Sequence, residues 1–279
     1  MPHLLPKITL PRPVTARRWP AFVTGAAISL AAAPLLADMP GAALGPERIW
    51  LADAAAQGGE GGESGKAPAN EAEADAAYIA ALATMEGALE GAVTLYLQGE
   101  AAMAAGHMKR SDGDAYLALA PELAAKQAEP FAAELDALAD AVAAGAPGTE
   151  VQAAFDTLRP RLQAARVREP GARHQFDALL MITREAADDY AAGVTAGRIT
   201  DLPEYQDAFG YMQIAARMAE ALTSDPDAAT AAAATKALAA IRATGEAFAG
   251  LTPTGIVPGD VTILQGAAAR IELAALKVR

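Results

Sequence analysis

The chain has 279 residues, with 34 acidic against 22 basic side chains for a net charge of −12; hydrophobic residues make up 53% and aromatic residues 5%. An alanine-rich core with few rings and few β-branched runs points to closely packed helices rather than sheets. The absence of cysteine excludes disulfide scaffolds, thiolate metal sites and thiol catalysis, and a field of this sign repels nucleic acid and anionic lipid while favouring cations or a basic partner.

Residues 1–20 hold Lys7, Arg12, Arg17 and Arg18 and no acid, and the apolar stretch Ala21 to Ala37 follows at once. A basic segment, a short alanine-rich apolar run broken by Gly25 and Pro34, and small residues before Asp38 together read as a secretory signal peptide over 1–37. The Arg17-Arg18 pair admits twin-arginine export as well as the general route. The expected destination is the periplasm. Loss of 1–37 removes four bases and no acid, which leaves 242 residues at a net charge of −16. Residues 38–70 contain the run from Gln57 to Gly65, in which five of nine residues are glycine; this reads as a flexible linker.

From Glu71 onward the apolar period is helical. Tyr78, Leu82, Met85, Leu89, Val93 and Tyr96/Leu97 form one stripe on a long helix that Gly99 ends. A short helix over 101–108 follows, then a turn at Ser111-Asp112-Gly113-Asp114 and a helix to about Lys126. Further helices begin at Pro130 and Thr149, and Glu169-Pro170-Gly171 breaks the chain. The second half brings a long helix over about 172–196, a turn at Ala196-Gly197-Arg198, and helices from about Leu202, Pro226 and Asp260. Gly255–Ile263 is a candidate short extended piece. The fold expected is all-α, about eight helices in two antiparallel bundles spanning 71–168 and 169–279. Superposing Gly99 on Gly197 lays Tyr78 over Phe176 and Glu90 over Asp188, as an internal duplication would.

Asp189, Tyr190, Val194, Gly197, Arg198, Ile199, Asp201, Glu204 and Tyr205 fill the pattern D-Y-x3-V-x2-G-(K/R)-(I/V)-x-D-x2-E-Y. That stretch resembles the extracytoplasmic helical domain preceding the membrane part of bacterial FTR1-family iron permeases, over about residues 174–250. The resemblance implies a helical bundle, an iron-uptake context, iron as the ion handled and a membrane iron permease as the partner. Arg184 stands where that family has an acid, and its R-E-G-x-E motif and membrane helices are absent, so the chain reads as a soluble relative. Two bundles in an exported chain also resemble the imelysin-like proteins in architecture, although Gly106-His107 is followed by Met108-Lys109-Arg110 rather than their G-x-H-x-x-E.

Iron favours carboxylate, imidazole and phenolate ligands, which helix positions i, i+3 and i+4 bring to one face. Glu185, Asp188 and Asp189 satisfy that spacing, with Arg184 or Arg198 as their nearest basic relief. Glu86 and Glu90 form a second i,i+4 pair on the matching long helix, and His107, Tyr190 and Glu204 are further candidate ligands. Met103, His107 and Met108 offer a soft cluster suited to copper, or methionines filling the core. No nucleophile elbow, zincin motif or phosphate loop is present, so no enzyme is expected. A ligand-free helical interaction module is the alternative to a metal-binding or permease-docking protein.

Overall fold

In the computed structural model, residues 68, 70–111, 115–167 and 171–278 are described. The expected signal segment, nearly all of the linker, and the turn and break residues 112–114 and 168–170 lie outside them. Among the described residues nine α-helices follow one another: α1 (Glu71–Leu97), α2 (Ala101–Arg110), α3 (Tyr116–Ala125), α4 (Ala132–Ala143), α5 (Gly148–Val167), α6 (Ala172–Gly193), α7 (Leu202–Leu222), α8 (Ala228–Ala243) and α9 (Val261–Ala275). The fold is all-α, as composition and period require. Between α6 and α7 sits a hairpin of β1 (Val194–Thr195) and β2 (Arg198–Ile199), pairing Val194 with Ile199 and Thr195 with Arg198.

Capping follows local chemistry. Asn70 accepts from the Glu73 N–H, Asp227 from Thr230 and Asp260 from Thr262, each satisfying a donor that a helix start leaves unpaired. Gly99 closes the end of α1 with φ of 91°. The expected extended piece at 255–263 divides: Ile256 bridges Arg198 and the Val257 N–H donates to the Gly197 carbonyl, whereas α9 has begun by Val261.

Helices α6, α7, α8 and α9 close on one another as a four-helix ring, α6 against α7 and α9, α8 against α7 and α9. Their core holds Phe176, Leu179, Ile182, Tyr190, Tyr205, Ile214 and Leu264, with alanines wherever helices approach closely. The first half buries a second core, in which Phe131, Leu135, Leu138, Phe155, Leu158 and Leu162 meet Tyr78, Leu82, Met85 and Leu89 of α1. The remaining face of α1 belongs to the other core: Ile79, Ala80 and Ala83 pack with α6 and α7. The sequence division near 168 thus separates α5 from α6 along the chain, and α1 serves both cores. A helix that is apolar on all sides is a buried helix, and α1 is one. No helix among the described residues is long and apolar enough to cross a membrane.

Candidate functional site

The signature stretch 189–205 is built as a hook. Helix α6 runs into the hairpin, whose turn places Ala196 and Gly197 at φ of 51° and 72°. Such left-handed geometry is easiest for glycine. The Thr200 and Asp201 N–H groups return to the Gly193 carbonyl at 2.8 and 3.2 Å, and Asp201 then leads α7 back along α6. The approach at Gly193 is tight: a Cβ there would meet the Tyr205 nitrogen at 2.7 Å. The hook brings the last turn of α6 beside the first turn of α7, and so Asp189-Tyr190 beside Glu204-Tyr205.

The two tyrosines face inward. Their ring centroids are 6.0 Å apart and both pack on Phe248. The Tyr190 hydroxyl donates to the Ala247 and Gly259 carbonyls at 2.9 and 3.2 Å, and the Tyr205 hydroxyl accepts the Ala249 N–H at 2.9 Å. Burial pushes the Tyr190 phenol up to about 12, helped by Tyr205 and Asp260. The phenol is thus engaged inside the bundle, with its hydroxyl on two carbonyls and its ring on Phe248. Its role here is to pin the segment between α8 and α9.

The acids that precede the tyrosines gather on the outer side of the hook. Burial raises the Asp189 carboxyl to about 9, with Glu185, Glu204, Asp207 and Asp188 adding repulsion. Glu185 is raised by burial, then by Asp188 and Glu204, and the exposed Asp188 by burial alone. Glu204 is raised by burial and by Asp207 and Asp201, while Arg110 and a side-chain hydrogen bond with Asp189 lower it. Burial and its acidic neighbours thus favour the protonated form of Asp189, and a side-chain hydrogen bond joins it to Glu204. Tyr211 beside them is raised well above its ordinary value by burial and then by Asp207.

Of the residues expected from sequence, Glu185, Asp188, Asp189 and Glu204 are brought together. Glu86 and Glu90 are not. Glu86 is fully buried on the face of α1 toward α5, where Arg166 Nη1 donates at 2.8 Å and Gln163 at 3.0 Å. Glu90 pairs with Arg217, which lies ten residues beyond Asp207 on α7, or about 15 Å along the helix. Both glutamates are compensated by arginine, and neither faces the α6 acids. Arg184 and Arg198 also depart from expectation: Arg184 Nη2 reaches Glu272 of α9 at 3.1 Å, and Arg198 is exposed in the hairpin.

The cation that does reach the cluster is Arg110 of α2, whose guanidinium donates to Asp207 Oδ2 at 2.6 Å. His107, one turn earlier on α2, is buried, with Nε2 2.9 Å from Gln206 Oε1. Met103 takes a weak contact from Gln206 at 3.6 Å and Met108 lies in the first core, so the methionines pack rather than converge on His107. Asp207, Gln206 and Arg110 were missed by sequence reasoning; only the i,i+3 step from Glu204 to Asp207 signals one of them. Among the described residues no group of three or more His, Asp or Glu side chains is placed to hold a metal ion.

Against this geometry the comparison with known families is informative. Residues 166–274 match the iron permease-associated 4-helix bundle domain. The match spans α6 to α9, the four helices that close the ring, and includes the whole hook; the resemblance read from 189–205 therefore extends over the complete bundle. It covers less than half of the chain. No curated protein and no solved structure matches the chain. The matched region carries the aromatic pins and the carboxyl cluster, whereas Arg110 and His107 come from outside it, on α2.

Proposed function

We propose that this protein is an exported, periplasmic accessory of iron uptake, which works beside a membrane iron permease and takes up a cation at the carboxyl cluster of α6 and α7. The observation that carries the reading is the Asp189–Glu204 pair, inside a segment that matches an iron permease-associated bundle. Four or five carboxyls in one partly buried place repel one another, and a proton on Asp189 relieves that repulsion. A cation relieves it as well. Iron binding here displaces the Asp189 proton, so uptake is linked to pH.

The experiment is dialysis of the full chain against Fe(II) or Fe(III), elemental analysis, and calorimetric titration in buffers of different ionisation enthalpy. Binding with about one proton released, lost in the Glu185→Ala, Asp188→Ala double variant, supports the reading. Iron content no higher than background, or equal binding by the double variant, removes the cation from it and leaves permease docking as the function.

A further inference from the structure

Helix α7 and the end of α8 leave a cleft of ≈310 Å³ between them. Its apolar wall is Met212, Ile241 and Phe248, and the charged groups Arg217, Glu220 and Arg242 also line it. The size is that of a small ligand: an apolar cavity of ~150 Å³ holds benzene, and small-molecule sites begin near ~300 Å³. The wall is set before anything enters. The Phe248 ring lies 5.3, 5.4 and 5.4 Å from the rings of Tyr190, Tyr205 and Phe209. Thr244, the buried polar neighbour, gives its hydroxyl to the Ile241 carbonyl at 2.6 Å, so no hungry polar group interrupts the apolar surface. A surface held in this way loses little freedom when a ligand covers it.

The charged groups decide what kind of ligand fits. Arg242 Nη2 donates to Glu220 Oε1 at 3.0 Å, joining α8 to α7, and these side chains are 61% and 62% exposed. An exposed pair of this kind contributes little and rearranges readily around a third charge. Arg217 donates both Nη groups to Glu90 of α1, which fixes its guanidinium at the cleft. Two guanidinia thus stand against two carboxylates, and the local charge cancels. A simple anion finds no net positive field here, and the chain as a whole, at −12, repels it. A simple cation finds Glu220 already matched by Arg242. The complement of an exposed ion pair is a second pair, a positive and a negative group side by side on one small molecule. An α-amino acid carries both on one carbon. Its carboxylate takes the donors of the Arg242 fork that Glu220 leaves over, its ammonium takes Glu220, and its side chain reaches the apolar wall.

We infer that the α7–α8 cleft is a binding site for a zwitterionic α-amino acid with an apolar side chain. A phenyl ring suits the space best, because it packs on the partly exposed Phe248 as the neighbouring aromatic rings do. The cleft shares no residue with the carboxyl cluster of α6 and α7, so this inference stands or falls apart from the cation reading.

The test follows the Met212 and Ile241 methyl resonances of the full chain during titration with four probes: L-phenylalanine, 3-phenylpropanoate, phenethylamine and glycine. The expected result is a saturable shift with L-phenylalanine in the millimolar range, as befits a small ligand in an open cleft. Each of the other probes lacks the ammonium, the carboxylate or the ring, and should bind about tenfold more weakly. Arg242→Gln and Glu220→Gln should each weaken L-phenylalanine by about tenfold, and both should fold, since the two side chains are exposed. Three results overturn the inference: no shift with L-phenylalanine, equal binding by any of the three incomplete probes, or unchanged affinity in either variant. If a variant fails to fold, the four probes on the wild type decide alone.

Discussion

Gly87 of α1 and Gly210 of α7 touch backbone to backbone: a Cβ on Gly87 would meet the Gly210 carbonyl oxygen at 2.8 Å, and one on Gly210 would meet the Gly87 oxygen at 2.6 Å. Neither carbonyl is the end of a flexible side chain. Gly87→Ala or Gly210→Ala must push α1 off α7, at about 1–3 kcal/mol. The check is thermal melting, in which each kcal/mol lowers Tm by roughly 2–4 °C for a chain of this size. An unchanged Tm in either variant contradicts the close crossing.

The pH dependence of stability follows from Asp189. Its carboxyl lies at about 9 in the folded chain, against an ordinary value of 3.8. A raised value means that the folded state holds the proton more tightly, so this contribution is complete below about pH 4 and is lost as pH rises toward 9. Asp189→Asn removes the titration and keeps a donor for Glu204. The variant should melt about 2–4 °C above wild type at pH 8 and show the flatter profile between pH 5 and 9. Parallel profiles would contradict the shared proton.

Glu86 and Arg166 give an asymmetric pair of variants. Glu86 is fully buried and the Arg166 side chain is 11% exposed. Arg166→Ala strands a buried carboxylate and should cost about 3–5 kcal/mol, whereas Glu86→Gln, which leaves no charge to solvate, should cost clearly less. Denaturant unfolding measures both. Iron binding should be unaffected by Glu86→Gln, because this carboxyl faces α5.

Tyr190→Phe deletes the donor to the Ala247 and Gly259 carbonyls while keeping the ring against Phe248. The expected loss is about 1–3 kcal/mol with metal affinity unchanged. A loss of iron binding with stability intact would instead make Tyr190 a ligand.

The helices were legible because α4 to α9 each carry a stripe and a stop. The Phe131, Leu135, Leu138, Val142 spacing of α4 needs no tertiary information, nor does the Asp260 cap of α9. What the sequence concealed is the second face of α1. The stripe from Tyr78 to Val93 is visible, but Ala80, Ala83 and Gly87 read as neutral filler, and they are part of the surface that α6 and α7 require. The carboxyl site was half legible for a related reason. Spacing within α6 groups Glu185, Asp188 and Asp189, yet which arginine approaches them depends on how α2 crosses α7, and residues 107–110 are nearly a hundred positions from 206–207. Glu86 and Glu90 share a helical face by spacing, and only the partners across α5 and α7 show that each glutamate is already engaged.

The helix that both cores share has a consequence for how the protein comes apart. Withdrawing α1 uncovers Phe155 and Leu158 on one side and the alanine-lined trough of α6 and α7 on the other. Neither half can therefore loosen alone without exposing apolar surface in its neighbour, and the two melt as one cooperative unit. In amide hydrogen exchange, the slowest protons of α5 and of α7 share a single opening free energy. A chain cut between α5 and α6 yields an α6–α9 fragment that seeks another helix to cover its bare groove.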